Sequence, residues 1–196
     1  TCALIPSNTP GVVIGRRHDP LGVPFHNCPT QGHDVVIPLE ESVVGGLEGC
    51  GRGWGMLMDC LAAGRGISLP SQAAGGGKLA TRVISAHVTN RKQFGVPIGK
   101  LEGVEEAVAK VVGLNYTMEA VRKFTAGAID KGIKPPVVTA IAKYFNSELM
   151  RVAVNAGMDV LGGAGISLGP RNTLGHAYIG APIAITVEGA NIMTRT

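Results

Sequence analysis

Leu101, Val104, Val108, Val111, Leu114, Met118, Val121, Phe124 and Ala128 recur at steps of three and four residues. That spacing gathers side chains on one face of an α-helix. A stripe this long leaves a continuous apolar face that must pack against other helices. Two more stretches can supply them. Pro135-Pro136 opens a second stripe, with Val138, Ile141, Phe145, Leu149, Val152, Ala156 and Val160 on one face and Gly162-Gly163 after its end. Upstream, a helix is expected from Trp54 to about Asn90, with Pro70 and Gly75-Gly76-Gly77 kinking or thinning it. Long helices joined by short loops make an antiparallel bundle, so the chain is expected to be mainly α. The Met and aromatic members of the stripes read as core.

The first 45 residues follow a different rule. Cys2-Ala3-Leu4-Ile5, Gly11-Val12-Val13-Ile14 and Asp34-Val35-Val36-Ile37 are short apolar runs between turn residues, which reads as β structure. So few short strands do not form an independent core. The expected division is therefore residues 1–46, the end of a β domain, and 47–196, a helical bundle domain. A chain that starts Thr1-Cys2-Ala3-Leu4, without Met or the basic region of a signal peptide, reads as an internal piece of a longer protein.

Composition narrows the function. A net charge of +4, with Lys and Arg scattered and few aromatics between them, does not suit a nucleic-acid surface. A polyanionic small ligand fits better. Cys2, Cys28, Cys50 and Cys60 contain no C-x-x-C pair, and the five histidines show no H-x-x-x-H spacing, so no metal site is expected. Reduced thiols point to a cytosolic-type compartment. Gly49-Cys50-Gly51-Arg52-Gly53 and Gly162-Gly163-Ala164-Gly165 invite a dinucleotide reading, but Trp54 and Leu168 stand where G-x-G-x-x-G needs its last glycine.

One acid stands out. Ile183-Ala184-Ile185-Thr186-Val187 delivers Glu188 directly onto Gly189-Ala190-Asn191. A carboxylate at the end of a buried run loses water, which makes it a stronger base once ionised. The structural alternative is a helix start, with Thr186 as N-cap and Glu188 in the first turn. The two readings are compatible, because a helix start also leaves backbone N–H groups free beside the acid.

Several motifs, in order, carry a resemblance: Arg91-Lys92-Gln93-Phe94-Gly95, Asp159-Val160-Leu161-Gly162-Gly163-Ala164-Gly165 and Val187-Glu188-Gly189-Ala190. They resemble the C-terminal half of acyl-CoA dehydrogenases. Leu21-Gly22-Val23-Pro24-Phe25-His26-Asn27-Cys28-Pro29, Gly64-Arg65-Gly66-Ile67-Ser68-Leu69-Pro70 and Ile185 to Ile192 look like the large bacterial fatty-acyl-CoA dehydrogenases of β-oxidation. The resemblance implies the end of a middle β domain followed by the C-terminal helical bundle, with FAD and acyl-CoA held in the complete protein. The fragment alone is then expected to be inactive.

The resemblance also assigns roles. Glu188 falls on the base that takes the α proton of the thioester, and its backbone N–H on a donor to the thioester carbonyl. In relatives that carry the base on the first bundle helix, the matching position here is Gly64, which cannot act. Arg65 lines the substrate site. Arg91, with Gln93 and Phe94 beside it, falls on the arginine that reaches the FAD pyrophosphate of a neighbouring subunit; alone it would read as a solvated charge after a helix. Gly162 and Gly163 fall on a turn beside the adenosine part of that FAD, or simply cap a helix. The implied assembly is a homodimer or dimer of dimers. An electron-transfer flavoprotein is the implied acceptor, and the implied location is cytoplasmic or peripheral at the inner membrane. Ala190, where many relatives carry Thr, and Asp159, an acid before the Gly-Gly turn, depart from the pattern. An acyl-CoA oxidase of the same fold and a non-catalytic helical assembly subunit are the competing readings.

Overall fold

A computed structural model describes residues 1–24 and 26–195 of the chain. Phe25, within one quoted motif, and Thr196 lie outside the described residues. The chain divides into two compact units, Thr1–Leu61 and Ala62–Thr196.

In the first unit, β1 (Val12–Ile14) pairs antiparallel with β2 (Thr30–Gly32), Val13 opposite Gln31. The expected strand at Cys2–Ile5 is reduced to one bridge, Ala3 to Val43, flanked by Leu4 N–H donating to Ser42 O at 2.9 Å and Val44 N–H to Cys2 O at 3.0 Å. The strand expected at Asp34–Ile37 does not form. Asp34 has a φ of +50°, and Pro38 precedes the short helix α1 (Leu39–Ser42), so the run is broken at both ends. Leu4, Ile5, Val13, Ile14 and Val36 are all exposed.

The long helix α2 (Gly53–Asn90) is continuous through Pro70 and the three glycines, against the expected thinning. Tertiary packing explains it. Pro70 is fully buried, and the missing side chains let neighbours close in: a Cβ at Gly77 would lie 2.4 Å from Met118 Cε, and one at Gly66 2.6 Å from Thr139 Cγ2. Next come a two-residue hairpin, β3 (Lys92–Gln93) and β4 (Val96–Pro97), and then α3 (Glu102–Asp130). Gly132, at φ +75°, ends α3: its N–H donates to Ile129 O and that of Ile133 to Ala128 O, a Schellman cap. α4 (Pro136–Leu161) starts on proline and stops at Gly162, φ +55°. The short α5 (Gly163–Ile166), α6 (Gly175–Thr186) and the short α7 (Asn191–Thr194) complete the second unit.

Contacts fix the helix directions. Gly66 faces both Ile129 and Thr139, Gly76 faces Met150, Gly77 faces Met118, and Gly157 faces Ile84 and Leu174. So α2 and α4 run parallel to each other, while α3 and α6 run against them. This is the expected antiparallel bundle. Its core holds Leu69, Ala73, Ala80 and Ile84 of α2, Val111 and Met118 of α3, and Met150, Ala153 and Val154 of α4, with Leu174, Ala181 and Ala184.

The α4 stripe is turned differently from expectation. Ile141, Phe145 and Val152 are exposed, as is Phe124 of α3, whereas Thr139, Lys143, Asn146 and Ser147 are buried. The first half of α4 is thus polar inside and apolar outside. Its outer face lines an open groove of about 640 Å³ with Pro136, Val137, Ala140, Ile141, Tyr144 and Phe145, closed on one side by Thr194 and Arg195.

Candidate active site

The inverted half of α4 faces the end of α6. Asn172 stands just ahead of that helix, its Oδ1 accepting from the N–H groups of Leu174 (3.2 Å) and Gly175 (2.8 Å). The helix then runs through Pro182 to Thr186, so the apolar run is helical and the expected helix start at Thr186–Glu188 is wrong. Thr186 is the last helical residue, and its Oγ donates back to Pro182 O at 2.8 Å. The next helix begins only at Asn191. The sequence of α6 has no amphipathic period, so its helicity comes from enclosure in the bundle.

Glu188 therefore sits in the turn between two helices, in the left-handed region at φ +55°, followed by Gly189 at +89°. For a residue with a Cβ this backbone costs about 1 kcal/mol. Two cations hold it. Arg65 of α2 donates from Nε to Glu188 O at 3.2 Å, and Lys143 of α4 donates from Nζ to Gly189 O at 2.8 Å. Lys143 is wholly buried, and its Nζ also meets Asn191 Oδ1 at 2.7 Å and Ile185 O at 3.4 Å. Burial, reinforced by the Arg65 cation, pushes its pKa below the ordinary lysine value, while Glu188 and Glu148 oppose that shift. Asn191 Nδ2 donates in turn to Ser147 Oγ (2.8 Å) and Glu148 Oε1 (3.0 Å).

The turn aims the Glu188 carboxylate at the bare backbone of α2. A Cβ placed on Gly64 would lie 3.0 Å from Oε1 and 3.4 Å from Oε2. Oε2 is buried and has no hydrogen-bond partner among the described residues. The Glu188 N–H also lacks a partner among the described residues. A carboxylate with a free, desolvated oxygen, beside a free amide, is equipped to take a proton and to donate to a developing oxyanion.

The structure brings Glu188, Gly64 and Arg65 together and sets the other candidates apart. Arg91 follows α2, and Gln93 and Phe94 belong to the hairpin beyond it. Its turn, Phe94 (φ +52°) and Gly95 (φ +82°), has the two positive φ angles of a type I′ turn, and Phe94 is 89% exposed. Arg91 is exposed, and its guanidinium has no partner among the described residues. Gly162 and Gly163 lie at the matching end of α4, where a Cβ on either would meet nothing within 4 Å among the described residues. Nineteen residues separate Lys143 from Gly162 on α4, about 28 Å at 1.5 Å per residue. The Glu188 end and the glycine end are opposite poles of the bundle. Lys143, Ser147 and Glu148 escaped the sequence reading because polar residues on α4 look like a solvated face, and Asn191 enters it only as part of the Glu188 motif, without a role.

A helical bundle closed by a short acid-bearing turn defines the structural class. The family is defined by comparison: residues 51–196 match the model for the C-terminal domain of acyl-CoA dehydrogenases, and the chain belongs to that family. The short-chain specific acyl-CoA dehydrogenase of bovine mitochondria is 31% identical over 166 residues, which is 83% of this chain and 38% of that enzyme. A protein called HemX from Proteus mirabilis is 52% identical over 86 residues, 44% of this chain and 50% of that protein. The solved structure of butyryl-CoA dehydrogenase from Megasphaera elsdenii superposes with a TM-score of 0.83 at 23% identity, over 97% of this chain and 48% of that one. The chain thus spans half or less of the length of these proteins.

Proposed function

We propose that the full-length protein carries out FAD-dependent α,β-dehydrogenation of a medium- or long-chain fatty acyl-CoA to the trans-2-enoyl-CoA, as a step of fatty acid β-oxidation in the cytoplasm or at the inner membrane. Glu188 carries the reading: its carboxylate is aimed across Gly64, with one buried oxygen unpartnered among the described residues. In the reaction the Cα–H bond breaks and its proton goes to Glu188, while the β hydrogen leaves with its electron pair. The unpartnered Glu188 N–H donates to the thioester carbonyl as negative charge develops on it. Arg65, fixed on Glu188 O, keeps that backbone in place.

FAD, when bound, supplies the acceptor for the β hydride. The residues at the far pole fit such a group: Arg91 offers a permanently charged, planar donor for a diphosphate, and the bare Gly162-Gly163 turn allows close backbone approach. The family resemblance assigns these residues to the flavin of a neighbouring subunit in a homodimer or dimer of dimers, and their distance of about 28 Å from the Glu188 pole supports that reading. Electrons then pass to an electron-transfer flavoprotein.

In the full-length protein, Glu188→Gln should keep its yellow flavin but fail to lose the colour when palmitoyl-CoA or butyryl-CoA is added anaerobically. Undiminished bleaching would overturn Glu188 as base. In the native protein, faster bleaching by butyryl-CoA would overturn the chain-length reading, and rapid reoxidation by oxygen would place it with the oxidases.

A further inference from the structure

The turn that carries Glu188 is unfavourable in itself, so something must hold it. Lys143 is the largest fully buried side chain among the described residues. An amine in a bundle interior is destabilising unless every donor is filled. Here the three donors meet three acceptors: Ile185 O, three residues before Glu188; Gly189 O, directly after it; and Asn191 Oδ1, at the start of α7. Ile185 O lies in the last turn of α6, where the helix ends before an i+4 donor, so Lys143 also caps that helix. Asn191 is tied back to α4 through Ser147 and Glu148. One ammonium group therefore grips both sides of the acid.

We propose that Lys143 is the positioning residue for Glu188, fixing the left-handed turn that lays the carboxylate over Gly64. The inference rests on Glu188 being the base, but it adds a residue that touches neither substrate nor flavin. A plain structural staple between α4 and α6 would use the same hydrogen bonds, and the two differ in what they do to the proton-transfer step.

The test uses the full-length holoprotein carrying Lys143→Met, which keeps length and apolar bulk but removes the donors, and Lys143→Arg, which keeps donors and charge but displaces them. Palmitoyl-CoA and its α,α-dideuterated form are the probes. With the base misplaced by up to an ångström, kcat should fall about 10- to 100-fold in Lys143→Met. KM and bound flavin should stay near wild type, and the α-deuterium isotope effect on flavin reduction should rise. Lys143→Arg should show a smaller change in the same direction, and it decides the matter if Lys143→Met does not fold. A folded variant with a wild-type isotope effect, losing only melting temperature or flavin content, would overturn the proposal in favour of the staple. Full activity in Glu188→Gln would instead overturn the base assignment, and the two failures are separately visible.

Discussion

Gly64→Ala should make the protein more stable and slower. Gly64 lies inside α2, where replacing glycine by alanine in a helix favours folding by about 1 kcal/mol. Opposing this, the new Cβ would stand 3.0 Å from Glu188 Oε1. That is a few tenths of an ångström closer than ordinary contact, and the obstacle is the far end of a flexible side chain. The carboxylate can yield, so most of the helix gain should survive as a rise of about 2–4 °C in melting temperature. What yields is the proposed base. If a 1 Å misplacement costs about 100-fold, a shift of 0.3–0.5 Å costs about 4- to 10-fold in the rate of flavin reduction. Gly75→Ala is the control: it sits on the same helix, is exposed, and its Cβ meets nothing within 4 Å. It should gain the same stability with no change in rate. The measurements are thermal unfolding and anaerobic stopped-flow reduction of the full-length protein. Equal reduction rates in the two variants would refute the placement of the carboxylate over Gly64. Destabilisation by Gly64→Ala alone would show that the acid cannot move.

Two further outcomes follow from packing and charge. Gly157→Val should destabilise by about 1–3 kcal/mol in urea unfolding, because a Cβ there would be 2.8 Å from Leu174 Cδ2 and 3.5 Å from Ile84 Cγ2. Glu119 accepts from Arg122 Nη2 at 2.7 Å and Nε at 2.9 Å and pairs with Lys78 at 3.0 Å. The Arg122 hydrogen bonds, followed by that from Lys78, hold its carboxyl down from 4.5 to about 2. A depressed folded-state pKa contributes stability that is present above the unfolded value and lost as pH falls through the folded one. Glu119→Gln should therefore flatten the decline of melting temperature between pH 4.5 and 2, and an unchanged slope would refute the pairing.

The helices were readable where periodicity and punctuation agreed. The α3 stripe, the proline start of α4 and its Gly162-Gly163 stop all lie where the pattern puts them. The pattern fails at α4's buried face, since Thr139, Lys143, Asn146 and Ser147 hydrogen-bond to backbone and to Asn191 inside the bundle, leaving Ile141 and Phe145 outside. Periodicity reports which face is apolar, and burial normally follows; a buried hydrogen-bond network reverses that link. At α6 the sequence offers β-branched residues and a proline, so local preference argues for a strand, and enclosure overrules it. Glu188 was recognisable as an exceptional acid, but its setting was not: the expected helix start is a turn after a helix end, held by residues 45 and 123 positions away. Such long-range hydrogen bonds leave no local trace.

The left-handed backbone at Glu188 has a consequence for anyone who would improve this protein by directed evolution. Glycine or asparagine would sit at φ +55° more comfortably than glutamate, and either would remove the carboxylate whose buried oxygen lacks a partner among the described residues. A library selected on heat resistance alone should therefore drift away from glutamate at this position, becoming sturdier as it loses its chemistry. Selection must include turnover for residue 188 to survive the screen.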